Sequence, residues 1–256
     1  MKTDESIILA NQPHSKTTYR GMIFDFNGVL WLDNHLQEQA WNLFAWQMFG
    51  ISLTSEVMAI QVHGRNNKHT LEYLAGAALD DMQVEQLSYQ KEARYRSLCL
   101  AQGVDFKLSP GAIELLDAIT ARNIPRTIAT ASGKGNLLFF SEHLQLGRWF
   151  DSQLITFDDG VRPGKPAPDI YLQAAHSLGL RPTECVVVED SISGFQAARA
   201  AGIGYIIALK PGDSNTASIE LNGIDLVVEN LTQIPWEDIF RITGPKASVE
   251  QNSEDD

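Results

Sequence analysis

Five short apolar runs, separated by helical patterns, constrain this chain more than any other feature. They fall at 22–24, 127–129, 185–188, 204–208 and 225–228, and the first and third stop abruptly at Asp25 and at Glu189-Asp190. Helical periodicity occupies 110–122, 134–146, 168–179 and 193–201. Continuous Val/Ile-rich strands alternating with helices are what a parallel sheet covered on both faces requires. The expected fold is α/β, a Rossmann-like doubly wound parallel sheet.

Residues 35–105 break the rhythm. They read as consecutive helices at 36–49, 53–62, 70–78 and 84–100, with no strand candidate among them and a return linker at 103–110. A helical block entered after the first strand predicts a separate small bundle, with Leu36, Trp41, Leu43, Phe44 and Trp46 as its own apolar core. The expected layout is therefore a loosely ordered extension at 1–19, an α/β core made of 20–34 and 106–242, the helical cap at 35–105, and an acidic disordered tail at 243–256.

Charge narrows the classes of partner. Lys and Arg total 20 against 32 Asp and Glu, a formal net charge of −12. Sequence-independent nucleic-acid binding depends on cationic contacts to phosphates, and anionic membrane surfaces repel such a chain. Two cysteines, Cys99 and Cys185, cannot make a disulfide framework. The run Ile7-Ile8-Leu9-Ala10 is too short for a secretory signal, and no stretch approaches the roughly 20 apolar residues of a membrane span. The expectation is a cytoplasmic protein with neither nucleic acid nor membrane as partner. Its oligomeric state is left open, with a monomer favoured.

Ligands of open α/β sheets bind beyond the carboxyl ends of the strands. There the sequence places Asp25-Phe26-Asn27-Gly28, then Thr130-Ala131-Ser132-Gly133, then Gly164-Lys165-Pro166-Ala167-Pro168-Asp169, and last Glu189-Asp190-Ser191 with Gly194. Three carboxylates in one cleft repel one another unless a cation joins them, and hard oxygen ligands suit Mg²⁺. A hydroxyl beside a helix N-terminus and a lysine make an anion pocket.

These segments resemble the haloacid dehalogenase superfamily in its β-phosphoglucomutase-like branch. The resemblance spans about 20–232, and its most specific element runs from Glu189 through Gly194 and Ala197-Ala198 to Ala201-Gly202. It implies that Asp25 is a nucleophile forming an aspartyl-phosphate. It implies further that Asp25, the main-chain carbonyl of Asn27, Asp190 and Glu189 (directly or through water) hold Mg²⁺. Thr130 and the Ala131 amide would bind the transferring phosphoryl group, which Lys165 would neutralise while restraining Asp25. The helical block corresponds to the family's cap, in which Arg65 and Lys68 fall where substrate contacts are made. The implied ligand is a small phosphorylated metabolite, a sugar or polyol phosphate.

One position departs from that pattern. Where the family's phosphatases and mutases carry an acid–base Asp, this chain has Asn27, whose amide cannot exchange a proton at neutral pH. General acid–base catalysis typically contributes about 10²–10⁴-fold. The alternatives are a hydrolase for easily released leaving groups, an acid supplied by Asp33 or His35, and a binder of phosphorylated ligands with little turnover. A phosphomutase fits less well. Two further alternatives are an engineered Asp→Asn change at 27 and deamidation at Asn27-Gly28, which would restore a carboxylate. Gln37 is a second departure, near a position where many relatives have His.

Overall fold

A computed structural model describes residues 18–210 and 223–241. The extension and the acidic tail expected at the two ends lie almost wholly outside these residues. Six strands form the sheet: β1 (Gly21–Phe24), β2 (Arg126–Gly133), β3 (Thr156–Asp158), β4 (Cys185–Glu189), β5 (Tyr205–Leu209) and β6 (Leu226–Val228). Their order is β3-β2-β1-β4-β5-β6, and every neighbouring pair is parallel. β1 pairs with β2 on one side and with β4 on the other, so the chain reverses its direction of winding beside β1. That reversal opens a crevice at the carboxyl edge.

Helices α5 (Ala112–Ala121), α6 (Lys134–His143), α7 (Asp169–Ser177), α8 (Ile192–Ala200) and α9 (Trp236–Ile239) accompany the strands. Alternate side chains along a strand face opposite sides, and the packing follows that rule. Met22, Phe24, Val186, Val188 and Ile207 enter one apolar layer, while Ile23, Val187, Ile206 and Ala208 enter the other.

Between β1 and α5 the chain is helical: α1 (Asn34–Phe49), α2 (Ser55–Val57) running into a π-helical stretch (Met58–Val62), α3 (Asn67–Ala75) and α4 (Asp81–Ala101). Trp41, Phe44, Ala45, Leu53, Met58, Val62, Leu71 and Leu74 form an apolar cluster of their own. Three of the five core positions expected here are placed differently. Leu43 and Trp46 are exposed, and Leu36 packs into the cluster around the sheet. The helical repeat explains it: Trp41, Phe44 and Ala45 share one face of α1, and Trp46 is turned a further 100° from it.

The sequence reading also missed β3. Thr156-Phe157-Asp158 is only three residues long, at the sheet edge, with one fully buried position, and so carries neither an apolar run nor an alternation.

Candidate active site

Asp25 is the residue immediately after β1. Its amide donates to the Val188 carbonyl at 2.9 Å, which locks the strand end against β4. The chain then turns sharply: Gly28 has φ of 78°, and a Cβ there would sit 2.0 Å from Asp190 Oδ2. Only glycine allows the loop to lie that close to a carboxylate.

Lys165 comes from the loop before α7 and is sealed beneath Asp25. Its Nζ donates to Asp25 Oδ1 at 2.8 Å and to Glu189 Oε2 at 2.7 Å, with no exposed side-chain surface. Glu189 ends β4 and is saturated with donors. Oε2 also receives the Tyr171 hydroxyl, and Oε1 receives the amides of Asp190 and Ser191 and the Ser191 hydroxyl. Asp190 accepts from Asn34 Nδ2 at 2.8 Å and faces the cavity.

The acidic groups lie close enough to share a cation. Asp25, Glu189 and Asp190 each offer an oxygen within 4.8 Å of the others. Three carboxylates against one ammonium leave a formal deficit of two positive charges, the charge of one divalent ion. Burial, and then the charge of Glu189, push Asp25 up to about 7. Burial with Glu189 and Asp25 raises Asp190 well above the carboxylate range. Burial acts the same way on Glu189, but the attraction of Lys165 outweighs it and holds Glu189 below its ordinary value. Lys165 is raised: burial opposes its charge, but Asp25 and Glu189 stabilise it more. The donor set is all oxygen, as Mg²⁺ requires. The residues present fit that ion.

Asp25, Asn27, Thr130, Ala131, Ser132 and Asp190 form the floor of a partly open cavity. Thr130 does not cap α6: its hydroxyl accepts from the Ser132 amide at 3.1 Å, two residues on, while Gly133 holds the cap position. Lys165 lies behind Asp25 and does not line this cavity. Asp33 is fully buried and His35 exposed, and neither lines it.

The helical insertion supplies the opposite wall. Arg65 reaches the core, donating from Nη1 to the Lys165 carbonyl at 2.9 Å, and lines the cavity. Lys68, on the first turn of α3, does not. Sequence reasoning missed Lys91 and Glu92. Lys91 is 2% exposed, donates to Gln37 Oε1 at 2.7 Å and Glu92 Oε1 at 3.0 Å, and lies 4.7 Å from the Trp41 ring centroid. Glu92 also accepts from Asn67 at 2.8 Å and Asn136 at 2.7 Å. Burial opposes its charge, but Lys91 and the two amides keep its carboxyl below the ordinary value. A signal existed: the buried stripe of α4 is Lys91, Tyr95 and Cys99, so a lysine occupies a core position.

Comparison with known proteins settles the family. The sequence profile of the haloacid dehalogenase-like hydrolases matches residues 19–202. The chain belongs to that family. Hexitol phosphatase A of Escherichia coli is 31% identical over 216 residues, covering 84% of this chain and 93% of that protein. A solved structure of a HAD hydrolase of family IA, variant 3, from Entamoeba histolytica superposes with a TM-score of 0.75 at 34% identity, covering 87% of this chain and 98% of that one. The β-phosphoglucomutase of Clostridium difficile shares the fold, with a TM-score of 0.72 at 23% identity over 87% of this chain and 96% of its own. No helix among the described residues is long and apolar enough to cross a membrane.

Proposed function

We propose that this HAD-family phosphatase hydrolyses the monophosphate of a sugar or polyol in a cytoplasmic setting, through an aspartyl-phosphate on Asp25. The observation that carries the proposal is the placement of Asp25: one oxygen is held from behind by Lys165, and the residue opens onto a cavity floored by Thr130, Ala131 and Asp190. The Asp25 oxygen not held by Lys165 attacks phosphorus as the P–O bond to the substrate breaks, and the departing oxygen takes its proton from solvent water, a proton returned by the water that later attacks the ester. Thr130 and the Ala131 amide receive the phosphoryl oxygens. Water then attacks the phosphorus of the aspartyl ester, releasing phosphate and returning Asp25.

Asp25, Asp190 and the main-chain carbonyl of Asn27 would hold Mg²⁺. Glu189, its oxygens already occupied by Lys165, Tyr171 and the 190–191 segment, would anchor the cluster rather than bind directly. When bound, the ion lets an anionic carboxylate and an anionic phosphoryl group approach each other.

The wall opposite supports the substrate class. Asn34, Gln37, Asn67 and Glu92 offer amides and a carboxylate to hydroxyl groups, beside the Trp41 ring. Hexitol phosphatase A, similar along most of the chain, bears a name of that kind.

The decisive assay is release of phosphate from para-nitrophenyl phosphate and from a panel of hexitol and sugar phosphates, with Mg²⁺ and with EDTA, comparing wild type with Asp25→Ala. Turnover lost in both the variant and EDTA supports the proposal. The amide at 27 favours a second reading, a binder with little turnover. Phosphate-analogue binding without product release would decide for it.

A further inference from the structure

Asp33 holds the N-cap position of α1, where an aspartate ordinarily turns its carboxylate onto the helix's own amides. Here it makes no such bond. The side chain is turned inward, wholly buried, and collects four donors. The Gly28 amide reaches Oδ1 at 2.9 Å. Asn27 Nδ2 at 2.7 Å, Gln37 Nε2 at 3.2 Å and the Tyr95 hydroxyl reach Oδ2. A carboxylate so surrounded fixes the direction of every bond around it, because its partners are all donating. Asn27 must give Nδ2 to Asp33 and therefore turns Oδ1 the other way. There the Ser132 hydroxyl donates to it at 2.7 Å. Ser132 in turn has spent its hydrogen and presents lone pairs to the cavity that Asp25 lines.

A carboxylate at 27 would remove the Nδ2 donor and set two carboxylates face to face. This environment calls for a donor at 27, which an amide supplies whatever the pH. We infer that Asp33 is a positioning residue for the phosphatase reaction and forms one unit with Asn27: the buried carboxylate pins the amide, the amide pins the Ser132 hydroxyl, and the site orients a ligand hydroxyl or water where an acid would otherwise stand. The inference rests on the phosphatase reading given above.

Two mutant cycles test it, with kcat and KM for para-nitrophenyl phosphate measured separately in Mg²⁺ and thermal unfolding followed in parallel. In the first, Asn27→Asp and Asp33→Asn each lower kcat at least about tenfold while KM moves less than about threefold. The reciprocal pair N27D/D33N, with a carboxylate again facing an amide, recovers at least about tenfold over the slower single variant. In the second, Asn27→Ala and Ser132→Ala leave Asp33 in place, and their double variant is no slower than the slower single one. Should D33N fail to fold, the comparison of N27D with the reciprocal pair and the second cycle still decide.

A rise in kcat for N27D alone, or losses that multiply in either double variant, overturns the inference. Failure of the phosphatase reading looks different: wild type shows no turnover, or its turnover survives Asp25→Ala. The same coupling is then read from the unfolding shift induced by Mg²⁺ with orthovanadate. Additive shifts would overturn the pairing, and recovery in N27D/D33N would support it.

Discussion

Two lysines lie buried on opposite sides of the same cavity. Lys165 sits beneath the floor between Asp25 and Glu189, 5.1 Å from the Tyr171 ring centroid, and Lys91 sits in the wall between Gln37 and Glu92, over Trp41 and Tyr95. Both are ammonium groups packed on aromatic faces and matched to carboxylates. They differ in what surrounds the pair. Around Lys165 the negative charge is in excess, and a divalent ion is called for. Around Lys91 one ammonium meets one carboxylate that also holds two amide donors, and the local charge closes. On the proposed reading the first arrangement takes up phosphoryl charge and the second presents polar groups to a neutral part of the ligand.

That contrast can be broken most severely at the floor. Asp25→Asn is expected to reduce turnover by at least about 10³-fold, since the carboxylate oxygen proposed to attack phosphorus is lost while folding is retained. Single-turnover trapping of the aspartyl ester checks it, and an ester formed in the variant would defeat the assignment.

The next effect separates the two lysines. Lys165→Met leaves buried carboxylates unpaired and is expected to cost about 3–5 kcal/mol of stability along with activity. Lys91→Met leaves Glu92 its amide partners and is expected to cost about 1–3 kcal/mol, with KM raised more than kcat is lowered. Equal losses in denaturant titration would erase the distinction.

Acid and metal sharpen it further. With Asp25 raised to about 7, and Asp190 raised as well, the folded protein holds protons that the unfolded chain has already released. Without metal, these groups weaken folding as pH climbs from about 4 towards 7. Mg²⁺ requires the ionised forms, so its gain in unfolding midpoint over EDTA should grow from pH 5 to pH 8. A gain that is flat with pH, or larger at pH 5, would contradict the excess-charge account.

The smallest effects are at the wall. Glu92→Gln should raise KM for a polyol phosphate by about 3–10-fold with kcat little changed, whereas Lys68→Ala, away from the cavity, should alter stability by no more than about 0.5 kcal/mol and leave KM unmoved.

The floor was legible because its chemistry is compressed into short segments at strand ends: Asp25 and Glu189-Asp190 each follow an apolar run, and Lys165 lies in a Gly/Pro-rich turn before a helix. The wall was not. Gln37, Asn67, Lys91 and Glu92 come from three helices and meet only after the insertion has folded over the sheet edge. Within α4, Lys91 and Glu92 look like ordinary solvated charges until the buried stripe through Tyr95 and Cys99 is extended back one turn. Asp33 has the spacing of a replacement acid, but its burial keeps it from the cavity, and its four donors cannot be read from spacing. Leu43 and Trp46 are apolar but lie off the buried face of α1, which apolar character alone does not reveal.

Beside the broad packing of α1 and α4 on the core, the insertion touches it through one run of three consecutive residues. Gly64 lies so close to Ser191 that a Cβ there would stand 2.1 Å from its hydroxyl oxygen, Arg65 grips the carbonyl of Lys165, and Asn66 reaches Asp158 at 3.4 Å. That run stitches the edge of the seam nearest the Lys165 and Ser191 loops. Lengthening or shortening that stretch would alter the clearance at this edge without touching Asp25, Glu189 or Asp190, so the size of molecule admitted can drift during evolution apart from the groups on the floor.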